Sequence, residues 1–551
     1  MMKYLLCALL PVTVFSWSSS PGLRPETFAV GSSGMVSSAH PRATEAGIRM
    51  LKAGGNAFDA AVAIAAALNV AEPDMSGMGG YGTILIYDAA KKEALFLNPS
   101  GRIPIGVNSD AFRAPTLNFE ENRRGAKAVS TPGNVHAWEQ LSKRYGKSKW
   151  GDLFKPAIEL AEGGFPISRR QAQSIAAAFP SFPEWARAEY GRDGRPLKAG
   201  ELLVQKDLAR SLQLVASGGA KAFYEGELAR AIDAVMRQHA GFLSLRDLAA
   251  DKAEWRKPIQ IDYRGFQVIT ASPPANAFDY LVRLGMMSRF DTRALGHNSA
   301  PYLHRFAEVT KHGFWVRLRY AGDPDINPPP LDRLLSEPYW KEEAARVDPD
   351  RARPFVPPTT PVNKEQHTTH FVVADRWGNV VSATQTLGNA FGARIMPKGT
   401  GIWLNNSLAY CTFEPKGNPM DAHAGRRKLS GDCPTIILKD GRPWVAIGTP
   451  GGHTIGQTVP QMVLNLIDFN MSIEAAVAAG RVSFYEPDEL GIEESIPAAV
   501  REQLASMGHK IRVVSGIGNA HGLMIEYDAT SQPARFRGAA DPRGEGKAQG
   551  Y

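Results

Sequence analysis

His367-Thr368-Thr369-His370-Phe371-Val372-Val373-Ala374-Asp375-Arg376-Trp377-Gly378-Asn379 is the stretch on which the fold turns. Two adjacent threonines open a β-type segment that runs to a turn signal at Asp375 to Asn379. Val380 to Leu387 then returns, carrying Thr384 and Thr386. The pattern predicts a hairpin with hydroxyls on both arms. It is entered from an irregular run, Arg353 to Gln366, that holds Pro354, Pro357, Pro358 and Pro361, a composition that predicts a flexible leader. Threonine is a good strand residue, so the hairpin by itself is only structure.

Its position gives it chemistry. A side-chain hydroxyl is a weak nucleophile and needs an adjacent base. A threonine freed as a chain N-terminus brings that base with it, because its own α-amine titrates near neutrality. Thr368 suits that role if the His367-Thr368 bond is cut, and its own hydroxyl is placed to attack the preceding carbonyl. Thr386 on the returning strand is placed to hydrogen-bond and orient Thr368. Gly451 and Gly452 follow a predicted strand and precede a predicted helix, where backbone N–H groups can face a developing negative charge.

The remaining chain sets the frame. With 551 residues, two or more packed lobes are expected. The net charge of +8 is spread thinly, with short clusters such as Arg426-Arg427-Lys428 that read as solvated surface. No basic run with interleaved aromatics occurs, so nucleic acid is not an expected partner. Met1-Met2-Lys3, the apolar run Tyr4 to Trp17 and then Ser18-Ser19-Ser20 read as a signal peptide over residues 1–20. An exported protein, periplasmic or secreted, is therefore expected, with an uncleaved leader as the lesser alternative and no other membrane span. Beyond Cys7 only Cys411 and Cys433 remain, which allows one bridge at most. No Cys/His cluster has metal-ligand spacing, so neither a metal nor an organic cofactor is expected.

Ala57 to Val70 is apolar on most faces and predicts a helix buried between layers. Glu72 to Thr83 is Gly-rich without the Gly-Lys-Ser/Thr of a phosphate loop. Strands are predicted at Ile84–Tyr87, Leu95–Asn98 and Ile259–Thr270, and helices dominate from Val135 to Gln238 and from Asp279 to Arg319. Beyond residue 366 strands prevail: Thr369–Ala374, Val380–Leu387, Gly401–Leu404, Thr435–Lys439 and Trp444–Thr449. Strands towards both ends with helices between them predict an αββα arrangement in which the two ends share a β core.

In sequence order, Ser38-Ala39-His40-Pro41, Gly54-Gly55-Asn56-Ala57-Phe58-Asp59-Ala60, Glu72-Pro73, Pro132-Gly133 and Tyr263-Arg264-Gly265 are followed by Thr368-Thr369-His370, Thr449-Pro450-Gly451-Gly452 and Asp541-Pro542-Arg543. This series resembles the γ-glutamyltransferase (γ-glutamyltranspeptidase) family of N-terminal-nucleophile hydrolases. The resemblance implies an α/β (α+β) fold, the αββα sandwich of two stacked sheets flanked by helices. It implies a precursor cut between His367 and Thr368, with residues 21–367 as a large subunit and 368–551 as a small catalytic one. Thr368 becomes the nucleophile, Thr386 its partner, Gly451 and Gly452 the oxyanion site, Arg102 the clamp for a substrate carboxylate, and Ser430 a substrate-binding serine. The substrate implied is a γ-glutamyl amide such as glutathione, with water or an amine as acceptor.

Four positions depart from the family's glutamyl-specific pattern. Gly388 stands where those members carry Asn, Ser407 and Tyr410 where they carry Gln and Asp, and Gly431 where they carry a second serine. The missing Asp would have met the substrate ammonium, and a buried charge without a partner is costly. The alternative expectation is an amidohydrolase on the same machinery, acting on an oxamate-, glutaryl- or cephalosporin-type acyl amide.

Overall fold

The computed structural model describes residues 26–356 and 367–551. The expected leader, residues 1–20, and the heart of the Pro-rich run, residues 357–366, lie outside the described residues. Two seven-stranded sheets form the centre. One runs in the order Phe28–Gly31, Pro533–Ala540, His521–Tyr527, Arg442–Gly448, Thr435–Lys439, Phe266–Thr270, Ile259–Tyr263. The other runs Lys547–Gly550, Gly34–Ser38, His367–Asp375, Val380–Gly388, Tyr81–Asp88, Glu93–Asn98, Glu254–Arg256. Every neighbouring pair in both is antiparallel.

The alternation of side chains along the strands builds the layers. Val372 and Ala374 of one sheet meet Ile436, Leu438, Ala446 and Leu523 of the other in the space between the sheets. Their neighbours Phe371 and Val373 point the opposite way, into a core shared with the helices Pro41–Lys52, Ala57–Ala71 and Lys155–Gly163. Ile437, Val445 and Ile447 likewise face the helices Phe278–Met287, Ala300–Tyr320 and Ile455–Ile467. The result is the αββα sandwich. Strands with both faces covered have no need of a polar face, which is why these runs are so apolar.

Ala57–Ala71 is buried along its whole length, as a helix between layers must be. Its start is set by Asn56, whose side chain accepts from the backbone of Phe58 and Asp59 while Asp59 reciprocates, a capping box. The two ends of the chain share the β core: Phe28–Gly31 pairs with Pro533–Ala540, and Gly34–Ser38 lies between Lys547–Gly550 and His367–Asp375.

Some expectations are corrected. Gly401–Leu404 is not a strand. Gly401 has a positive φ, and Leu404 and Asn405 spend their N–H groups on Ile395 and Gly79 in isolated bonds instead of a ladder. Arg427 and Lys428 are buried and not solvated surface. Cys411 and Cys433 are free, each buried in a different apolar cluster. Among the described residues no helix is long and apolar enough to cross a membrane.

Candidate active site

Thr368 and Thr386 face each other across adjacent strands, with a register shift between His367 and Thr368. His367 pairs with Gly388 and Thr368 with Thr386, so Leu387 is the extra residue of a bulge. Bulges re-aim side chains beside active sites. The Thr368 hydroxyl donates to Thr386 Oγ1 at 3.1 Å. Thr386 Oγ1 donates in turn to the carbonyl oxygen of His367 at 2.7 Å and accepts the Gly388 N–H at 2.8 Å. One hydroxyl thus touches both the predicted nucleophile and the carbonyl of the bond predicted to break.

The loop from Glu72 holds this pair in place. Thr369, pointing away from Thr368, donates to the Glu72 carboxylate at 2.7 Å. Burial pushes the Glu72 carboxyl up to about 7, with the Arg170 guanidinium at 3.1 Å pulling the other way. Leu387 N–H donates to the Met75 carbonyl. The glycines that follow permit contact with the strand backbone: a Cβ on Gly80 would lie 2.4 Å from the Thr386 carbonyl oxygen, and one on Gly82 would lie 2.2 Å from that of Thr384. Only glycine fits at either position.

His370 points between the sheets, its Nδ1 2.9 Å from Thr384 Oγ1. Burial, with His521 nearby, holds its pKa far below the usual imidazole range, so it is neutral and serves as a spacer.

Thr368 and Thr386 open onto a cavity of ≈ 750 Å³, counting space open to solvent. Its described lining includes Gly452, Ser430, Gly431 and Tyr410 from the predicted set. Gly451 and Gly452 have φ of 141° and 56°, conformations that favour glycine, and the helix Ile455–Ile467 starts three residues later. A Cβ on Gly431 would lie 3.4 Å from the Gly452 carbonyl oxygen.

Ser407, Gly388 and Arg102 are not among the described lining residues, and Tyr410 reaches the cavity with its hydroxyl engaged. Ser407 is buried, its hydroxyl donating to Ser130 at 2.6 Å. Gly388 has a φ of 98°, and a Cβ there would lie 2.3 Å from Asn406 Oδ1. Tyr410 turns its hydroxyl to Asn389 at 2.8 Å. Arg102 is not brought to the cavity: its guanidinium bonds Glu254 at 2.6 Å and the Gly425 carbonyl at 3.2 Å, with Asp251 at 3.6 Å. Glu254 sits 152 residues along the chain, so sequence reading had no means of seeing this partner.

The cavity also holds charges that sequence reading missed. Lys428 donates to the Tyr81 hydroxyl at 3.1 Å and lies over the Tyr81 and Tyr410 rings. Burial pushes its pKa down to about 8, opposed by Cys411 and Asp432. On another wall Arg283 pairs with Asp279 at 2.9 Å, and Arg317 lies beside them. Lys428 belongs to the consecutive run Lys428 to Asp432 that lines the cavity, and no local pattern marks it out from its basic neighbours Arg426 and Arg427.

The described residues also hold a group of metal-type ligands, His304, Glu308 and His509, outside this cavity. Its atoms have protein partners. His304 bonds the Asp348 carbonyl and His509, both at 2.8 Å, and Glu308 meets the Lys311 ammonium at 2.9 Å. A positive side chain already on Glu308 disfavours a second cation there.

A sequence profile of the family described as Gamma-glutamyltranspeptidase matches residues 43–551. The chain is 35% identical over 544 residues to a Glutathione hydrolase proenzyme of Bacillus subtilis (strain 168), covering 95% of this chain and 92% of that one. It is also 35% identical over 532 residues to an Acylase ACY 1 proenzyme of Pseudomonas sp. (strain V22), covering 94% and 93%. Among solved structures, the cephalosporin acylase from Bacillus halodurans superposes with a TM-score of 0.88 at 29% identity, covering 98% of this chain and 99% of that one.

Proposed function

Because this chain belongs to the gamma-glutamyltranspeptidase family, whose relatives are proenzymes, we propose that it cuts itself before Thr368 and then works as a γ-glutamyltransferase-like hydrolase on γ-glutamyl amides such as glutathione. The observation that carries this reading is the Thr386 hydroxyl, bonded at once to Thr368 Oγ1 and to the His367 carbonyl oxygen.

In the self-cleavage, Thr368 Oγ1 attacks the His367 carbonyl carbon. Its proton moves to Thr386 Oγ1 while the Thr386 proton goes to the carbonyl oxygen, so charge does not build up. The hydroxyl proton of this intermediate then passes to the Thr368 nitrogen as C=O re-forms and the C–N bond breaks, leaving His367 esterified to Thr368 Oγ1 and the Thr368 amine free. Water hydrolyses the ester and releases the nucleophile.

In turnover, the Thr368 amine takes the hydroxyl proton as Oγ1 attacks the substrate amide. The Gly451 and Gly452 N–H groups, aided by the start of the helix behind them, receive the oxyanion. The ammonium returns its proton to the leaving amine. Water, or a second amine, then takes the acyl group from Thr368. Ser430, Gly431 and Tyr410 line the cavity beside Thr368 and would be the residues that meet the acyl group.

The cut would leave a large subunit, 21–367, and a small one, 368–551, whose described strands interleave. Gly34–Ser38 pairs with His367–Asp375, Tyr81–Asp88 with Val380–Gly388, and Phe266–Thr270 with Thr435–Lys439. The two subunits would therefore stay together. We assign the export signal to residues 1–20 on sequence grounds alone.

A denaturing gel with N-terminal sequencing tests the proposal. A small subunit beginning at Thr368 is expected, and Thr368→Ala is expected to remain intact and inactive. Turnover by an intact chain would sink the mechanism. Comparing a γ-glutamyl anilide with a glutaryl anilide tests the substrate: a preference for the glutaryl compound would favour the amidohydrolase on a non-glutamyl acyl group.

A further inference from the structure

The cavity beside Thr368 carries more positive charge than it neutralises. Its described lining holds Lys428, Arg283 and Arg317 against Asp279 and Asp432. Arg283 is paired with Asp279 and donates to the Gly456 carbonyl at 2.8 Å, with only its Nε left without a partner among the described residues. Lys428 has the Tyr81 hydroxyl. Arg317 is different. It is only 7% exposed, it rests on the Phe314 ring at 5.5 Å, and among the described residues its guanidinium has no hydrogen bond and no ion pair.

A guanidinium in a mostly buried side chain, with Asp279 acting on it only through space and no acceptor hydrogen-bonded to its five N–H donors, is costly unless the cavity supplies one. The cost falls if an anion from outside completes it, and a planar fork fits a carboxylate with two parallel bonds. Arg317 and Phe314 sit one helical turn apart on Ala300–Tyr320, so the ring backs the guanidinium and leaves its edge for the cavity. Arg102, the arginine expected to do this work, is spent on Glu254.

We propose that Arg317 is the receptor for a substrate carboxylate in this cavity. The inference rests on the reading of Thr368 as the nucleophile of that same cavity. The carboxylate comes from either the acyl half or the amine half of the amide.

Two substrate pairs separate these sources. For the acyl half, γ-glutamyl-4-nitroanilide is compared with 4-aminobutyryl-4-nitroanilide, which lacks the carboxylate. For the amine half, γ-glutamyl-4-aminobenzoate is compared with the γ-glutamyl anilide. In Arg317→Met, KM for the carboxylated member of one pair is expected to rise roughly 10- to 100-fold relative to its partner, the loss of one charge-assisted contact. Arg317→Lys is expected to recover part of it. An equal change across both members of both pairs overturns the proposal. Should Arg317→Met not accumulate, wild-type enzyme decides: no preference for the carboxylated member in either pair also overturns it. Thr368→Ala is scored alongside, so that failure of the nucleophile is seen as retained turnover there and is not confused with a failed receptor.

Discussion

The Thr386 hydroxyl donates to the His367 carbonyl oxygen at 2.7 Å while accepting the Thr368 hydroxyl at 3.1 Å. In the proposed self-cleavage this single bridge would give Thr386 a part as well as making it an orienter of Thr368. Thr386→Val keeps the shape and removes these two bonds together with the one from the Gly388 N–H. Loss of one such donor typically costs about 100- to 1,000-fold in rate, so intact chain is expected to accumulate on a denaturing gel. Thr386→Ser, which keeps the hydroxyl, is expected to mature. A valine variant maturing at the wild-type rate would remove Thr386 from the mechanism.

Gly388 answers whether the family's glutamyl pocket can be rebuilt by one change. Its φ of 98° and the 2.3 Å approach of Asn406 Oδ1 leave no room for a side chain. Gly388→Asn must therefore displace Asn406 or twist the strand whose N–H bonds Thr386. A loss of about 1–3 kcal/mol in stability is expected, read as a lower Tm, together with slower maturation. Unchanged Tm and a gain in γ-glutamyl turnover would show that the pocket has the space this geometry denies.

Backbone chemistry was legible in the sequence and long-range charge pairing was not. The strand on either side of Asp375-Arg376-Trp377-Gly378-Asn379 and the turn before Ile455 follow from local rules, and the alternation Phe371/Val372/Val373/Ala374 carries both faces of a sheet. Arg102 failed to follow because a long cation takes the best carboxylate that the fold presents, here Glu254. Lys428 and Arg317 were invisible for the opposite reason. Each belongs to a stretch with other basic residues, Arg426-Arg427-Lys428 and Arg317-Leu318-Arg319, and only packing decides which of them are buried. Gly401–Leu404 has strand composition, but nothing local reveals that no partner strand is present.

The closing Asp541-Pro542-Arg543 has a structural role that can be measured. Asp541 is fully buried, bonds Arg481 at 2.7 Å and Arg543 at 3.0 Å, and accepts the Ala520 N–H at 2.8 Å. Burial pushes its carboxyl up, but Arg481 and Arg543 outweigh that and hold it below the usual range. A carboxyl depressed in the folded state contributes stability above its unfolded pKa and loses it as pH falls through the folded value. Asp541→Asn leaves Arg481 buried and unpaired, so about 3–5 kcal/mol is expected to be lost near pH 7. The gap between variant and wild type should narrow below about pH 4. A gap that stays constant down to acid would assign the loss to packing instead.

Lys428 predicts how substrate binding depends on pH. Below about 8 the buried ammonium is charged, and the cavity lining carries three cations against two carboxylates. Above that value Lys428 loses its proton and the excess disappears. KM for a carboxylated amide should then rise by roughly threefold to tenfold between pH 7 and pH 9, the scale of one screened charge at a few ångströms. An amide without a carboxylate should show no such rise. The comparison must be made on KM, because the α-amine that the proposed cut would free on Thr368 would titrate in the same range and act on kcat. Lys428→Met should give the high-pH KM at every pH. A rise in KM that persists in the methionine variant would trace the dependence to another group.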